Sequence, residues 1–151
     1  YIADWRNDRI QRFSPKGDFI AKYGGSGSKE GELSRPSSIA VDEEGYMYVA
    51  DWGNERIQVL DPEGGFVQTL RGEATLSPWA QQFLDASPSE AAARLGANLE
   101  TAQNVRGEDT HTESSHIERL FWAPTSVKID MNGLVYITDR NRHRIQVYRR
   151  S

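Results

Sequence analysis

The chain has no cysteine among its 151 residues, which excludes disulfides and thiolate metal sites and leaves the redox compartment open. It has no run of 18 apolar residues, so it offers no membrane-spanning helix. Residues 1–30 lack the basic start and apolar stretch of a secretory signal. Histidine is scarce, with only His111, His116 and His143. No Ser-His-Asp order, paired-acid arrangement, phosphate loop or Gly-x-Ser-x-Gly elbow stands out. Strong net charge is absent too: the formal value is -4, too small to argue for nucleic acid on charge alone.

What acidity there is sits in one place. Residues 73–118 hold eight acidic residues against two basic ones, and the rest of the chain holds 14 against 16. The acidic segment is therefore set apart by composition from a slightly basic remainder.

The remainder is repetitive. Tyr1-Ile2-Ala3-Asp4-Trp5-Arg6-Asn7-Asp8-Arg9-Ile10-Gln11 returns as Tyr48-Val49-Ala50-Asp51-Trp52-Gly53-Asn54-Glu55-Arg56-Ile57-Gln58. It returns again as Tyr136-Ile137-Thr138-Asp139-Arg140-Asn141-Arg142-His143-Arg144-Ile145-Gln146. A fixed repeat decides architecture ahead of other signals. The first two copies are 47 residues apart and the last two 88 apart. The second interval holds about one repeat's worth of extra chain but no further copy of the phrase, so it contains an insertion.

One unit reads through from Pro36. Ser38–Asp42 is a short apolar run, strand a; Glu43-Glu44-Gly45 is a turn. Tyr46–Ala50, β-branched and aromatic, is strand b. Asp51-Trp52-Gly53-Asn54 is turn chemistry. Arg56–Leu60 alternates as strand c, Asp61–Gly65 turns, and Phe66–Leu70 is strand d. Four short antiparallel strands per unit of this length predict an all-β fold, a β-propeller of four-stranded blades.

The phrase Tyr-(Ile/Val)-(Ala/Thr)-Asp-x-x-Asn-x-Arg-Ile-Gln, preceded by Pro-x-x-(Ile/Val)-x-(Val/Ile)-Asp and an x-Gly turn, resembles the NHL repeat. The resemblance covers everything outside the insertion. It implies a six-bladed ring. About two and a half blades are present, residues 1–72 carrying blade 1 (strands b to d) and a complete blade 2, and 119–151 carrying strands a to c of blade 3. The chain thus reads as an open piece of a longer propeller whose remaining blades lie elsewhere. Two such chains would lack a strand a and a strand d at each junction, which weighs against self-completion. A true N-terminus is not expected here, and localisation stays open.

Within the insertion, Ser77 followed by Pro78 and Trp79–Leu84 predicts a capped helix, with Trp79 and Phe83 on one face. Ser87-Pro88-Ser89-Glu90 reads as a capping box with proline at the first helical position, opening a second short helix stopped by Gly96. Residues 100–116, polar and rich in Thr, Ser and Glu, read as loop. As a d–a connection the insertion belongs on the same face as the three b–c turns.

That face holds the candidate site. Asp4, Asp51 and Asp139, with Arg9, Arg56 and Arg144, recur in every copy. A group needed once per blade is better explained by structure than by ligand: the Asp caps its turn and the Arg pairs within or between blades. Binding is better sought where the copies differ, at Trp5, Arg6, Trp52, Arg140 and Arg142, with Trp79 of the insertion. Exposed Trp and Arg suit contact with a protein or peptide, or with a glycan or small molecule. The acidic insertion on the same face weighs against RNA. His111 and His116, with Glu113 and Glu118 nearby, are weak as metal ligands because they lie on a polar stretch without evident convergence. Strand-a starts offer Ser37, Ser38, Thr125 and Ser126 and no histidine. The function expected is a non-catalytic binding scaffold with no cofactor. The alternative implied by the resemblance is part of a metal-dependent lyase or lactone hydrolase.

Overall fold

The computed structural model describes residues 1–74, 76–96 and 110–149. Ten strands form three antiparallel sheets. β1 (Ile2–Asp4), β2 (Arg9–Phe13) and β3 (Phe19–Tyr23) make the first. β4 (Pro36–Val41), β5 (Met47–Asp51), β6 (Arg56–Leu60) and β7 (Phe66–Leu70) make the second. The third comprises β8 (Pro124–Ile129), β9 (Leu134–Asp139) and β10 (Arg144–Arg149). Each sheet follows chain order, and the sheets stack side by side as consecutive β-propeller blades. Strands c and d fall where the sequence puts them. Strand a starts earlier, at Pro36, because its pairing with β5 continues past a bulge to Asp51.

The alternation of side chains explains the stacking. Met47, Val49 and Leu60 of the second blade pack with Ile10, Tyr23 and Leu33 on the first-blade side. Tyr48, Ala50, Ile57 and Val59 point the other way and pack with Phe121, Val127, Val135 and Ile137 on the third-blade side. The second blade is thus covered on both faces, and β5 and β6 are buried throughout. On the third blade only one face of β9 and β10 is covered: Tyr136, Ile145 and Val147, at positions equivalent to Tyr48, Ile57 and Val59, are 37%, 65% and 53% exposed.

The repeated phrase acts as a lock on the chain segment leading into each blade. Asp51 Oδ1 accepts the amide of Ser34 at 2.7 Å, and its Oδ2 accepts Arg56 Nε at 2.8 Å and Asn54 Nδ2 at 2.8 Å. Arg56 then donates to the carbonyls of Lys29 and Glu32, while Gln58 Oε1 accepts Gly31 N–H. Asp139 repeats this, accepting Trp122 N–H at 2.7 Å and Arg144 Nε at 2.8 Å. Asp4 takes donors from its own turn, Asn7, Arg9 and Gln11, and its carboxyl is held below the usual range, chiefly by Arg9 and then by Asn7.

The insertion leaves the blades undisturbed because the third lock grips both of its ends. Arg144 donates to the carbonyls of Glu73 on one side and of Arg119 and Leu120 on the other. Gln146 both donates to and accepts from the Glu73 backbone. The Phe121 amide bonds to Arg71 O at 2.8 Å. Gly72, at φ +101°, passes so close to the backbone of residues 119–121 that a side chain there would collide with it.

Between these ends α1 (Pro78–Ala86) and α2 (Pro88–Gly96) form as the sequence predicts. Ser77 caps α1 by accepting Ala80 N–H at 3.2 Å. Neither helix buries a residue. The sequence reading of 100–116 as loop needs correction over its second half. Thr110–His116 is a third helix, α3, while 100–109 lies outside the described residues. α3 has no apolar periodicity, so tertiary contacts rather than propensity set it.

Asp51 and Arg56 side chains are 0% and 10% exposed. Removing one partner of such a pair strands the other in a buried site, at a cost of about 3–5 kcal/mol. Asp51→Ala should therefore lower stability by about that much in urea unfolding, whereas Asp4→Ala, whose ion pair is more open to water, should have a clearly smaller effect. Equal losses at both positions would show that burial does not set the strength of the lock.

Candidate functional site

The three b–c turns lie together, and each is shaped by the same backbone device. The residue before the phrase arginine is left-handed in every copy: Asp8 at φ 51°, Glu55 at 53° and His143 at 51°. In the first two copies its carboxylate reaches the next blade. Asp8 Oδ1 accepts the amide of Arg35 at 2.7 Å, and Glu55 accepts the amide of Ala123. Arg35 and Ala123 directly precede Pro36 and Pro124, and both have positive φ. Each carboxylate thus fixes the bend at which the next strand a begins. Asp8's carboxyl is lowered by the Arg35 amide first and then by the Ser26 hydroxyl.

Between the first two turns and the strand-a starts is a cleft of about 340 Å3. Trp5 and Trp52 line it, with Arg35, Ser37 and Thr125, over Ala3 and Pro36. Trp5 is 51% exposed, and the Arg6 guanidinium stands 5.7 Å from its ring centroid. Trp52 opens the 3-10 turn Trp52–Asn54. That turn is pinned by the Gly53 amide on Ser34 O at 2.8 Å, and a Cβ on Gly53 would come within 2.8 Å of the same oxygen. Glycine at this position therefore sets where the indole stands.

The structure sorts the sequence candidates. Trp5 and Trp52 meet in the cleft and Arg6 stacks on Trp5. Arg140, equivalent to Trp52, is exposed on the third turn, its amide bonded to Ala123 O at 3.2 Å. Arg142 has a different task. It stands where Asn54 stands in the second copy, and where Asn54 reaches Gly27 O, Arg142 reaches the carbonyls of Ser114 and Ile117 at 2.8 Å. A longer cationic side chain at this position satisfies the carbonyls at the C-terminal end of α3. Trp79 is 78% exposed on α1 and lines no part of the cleft. Arg35 was not singled out from the sequence. Its place just before a proline that opens strand a was the signal available.

α3 packs against the Trp52 turn, on the b–c face where the sequence puts the insertion. Its anchor is Glu55, which is 1% exposed and accepts both Ala123 N–H and His111 Nδ1–H. Trp122 Nε1 donates to His111 Nε2 at 3.1 Å, and Arg142 stacks on the Trp122 ring at 5.6 Å. His111 thus serves the docking of α3. Among the described residues no three His, Asp or Glu side chains converge as a metal would require.

Burial raises Glu55's pKa above 4.5 despite its two hydrogen-bond donors. The folded state therefore binds this proton more tightly than the unfolded chain does, and charging Glu55 costs stability. Between 4.5 and the raised folded value, stability should fall as pH rises, and Glu55→Gln should lack that component. The difference in urea midpoint between the two proteins, followed across this window, checks it. A pH-independent difference would contradict the assignment.

No curated protein matches the chain. Residues 121–148 match the family model of the NHL repeat, a span running from the start of the third lock through its Asp139, Arg144 and Gln146. The matched span coincides with the third sheet of this chain.

Proposed function

We propose that the chain acts as a non-catalytic binding module, its ligand seated in the cleft between Trp5 and Trp52. The observation that carries this reading is the pair of indoles from equivalent positions of two blades, facing one cavity beside a guanidinium and two hydroxyl-bearing residues. Large rigid aromatics beside arginine are the side chains that contribute most to binding energy when a partner covers them. The cleft lining contributes hydroxyls, indoles and a guanidinium, a set suited to holding a ligand rather than to moving a proton. The partner is a protein or peptide, because two indoles separated across an open cleft suit an extended segment with projecting side chains. The repeat supplies a rigid frame and the divergent turn residues supply recognition.

A random peptide library displayed on phage tests the reading. The chain should enrich peptides of a common pattern. Synthetic versions should lose about thirtyfold or more in affinity on Trp52→Ala, a change of about 2 kcal/mol. Gly53→Ala, which moves the indole without deleting it, should weaken the same peptides while the fold is retained. Absence of enrichment, or equal affinity for wild type and Trp52→Ala, would overturn the proposal.

A further inference from the structure

We infer that the cleft takes a short acidic peptide segment, one that places an aromatic or aliphatic side chain beside its carboxylates. The inference rests on the reading of this cleft as the binding site and names the chemistry of its ligand.

The first observation is an imbalance of commitment. The phrase arginines are bound to the phrase aspartates, and Arg142 to the carbonyls of α3. Arg6, Arg35 and Arg140 form no ion pair among the described residues; of the three, Arg35 lines the cleft, and its charge helps to hold the Asp8 carboxyl down without a direct bond to it. The carboxylates of the same turns are all occupied: Asp51 and Asp139 by their locks, Asp8 by the Arg35 amide and the Ser26 hydroxyl, Glu55 by Ala123 and His111. An incoming carboxylate in the cleft therefore meets the Arg35 guanidinium without having to break an ion pair. Arginine binds carboxylate through two parallel hydrogen bonds, which adds orientation to charge.

The second observation is the pair of indole walls. Trp5 and Trp52 give the cleft apolar, planar sides, which reward an adjacent aromatic or aliphatic side chain. The stacking of Arg6 on Trp5 puts a cation at the edge of that wall. A ligand with carboxylate and ring a residue or two apart satisfies both features at once. The bound segment is short because the cleft is only about 340 Å3.

Fluorescence anisotropy with three labelled probes tests this on the 151-residue chain. They are an aspartate- and glutamate-rich peptide containing one tryptophan, its counterpart with every acid replaced by the amide, and a short oligouridine. The acidic peptide should bind about tenfold more tightly than the amide peptide, and its affinity should fall with added salt. Arg35→Gln should remove most of that preference, Arg35→Lys should keep part of it, and both variants should retain the wild-type urea midpoint. Equal or tighter binding of the amide peptide overturns the acidic ligand and leaves the binding module standing. Tighter binding of oligouridine overturns it in favour of nucleic acid. Binding of none of the three overturns it too, and the phage selection then decides the binding-module reading separately.

Discussion

A buried carboxylate at the end of strand b is the point on which each blade junction depends. In the second and third blades it joins an amide from the incoming segment to the arginine opposite it across the b–c turn, and that arginine ties down the carbonyls of the same segment. Segments without regular secondary structure carry backbone groups that nothing in a sheet satisfies. Here Asp, Arg and Gln of the repeated phrase satisfy them. The apolar layers supply most of the stabilisation, but they do not say where a connection must enter. The Asp-Arg-Gln set does, by binding the backbone of the incoming segment directly.

That division of labour explains how the fold tolerates a long insertion. The third lock holds Glu73 on one side of it and Arg119 and Leu120 on the other, so the core contains the same contacts whatever lies between. The inserted chain is then tied back at separate points. Arg94 pairs with Glu118 at 3.1 Å and Arg71 with Glu113 at 3.1 Å. Arg142 and Glu55 hold the two ends of α3. The arginine at position 142, where the second copy has Asn54, and the contact of Glu55 with His111 both belong to this second layer of adaptation.

Repeat spacing made the blades legible before the structure, because three copies in register fix strand order and phase together. The structural role of Asp51 and Arg56 was legible for the same reason: recurrence in each copy points to a need of each blade. α3 was not legible, since its seven residues, Thr110–His116, are polar and its carbonyls are satisfied from Arg142, 25–28 positions away in sequence. That Arg142 reaches the carbonyls of α3 was not legible either, because side-chain type alone does not say which acceptor lies in reach. The cleft itself was half legible. Trp5 and Trp52 could be named because the third copy has Arg140 at their position, but Arg35 faces them only because Asp8 holds its amide and Pro36 turns the chain there.

Chemistry repeated in the turns holds the frame, and the residues beside it differ between the copies. The most direct measurement is amide hydrogen exchange at Ser34 and Trp122, the two amides received by Asp51 and Asp139. Both should be protected to the level of neighbouring strand amides, and Asp51→Ala, which removes the acceptor, should release Ser34 while leaving Trp122 protected. Exchange of Ser34 and Trp122 in the wild-type chain as fast as in an exposed loop would contradict the account.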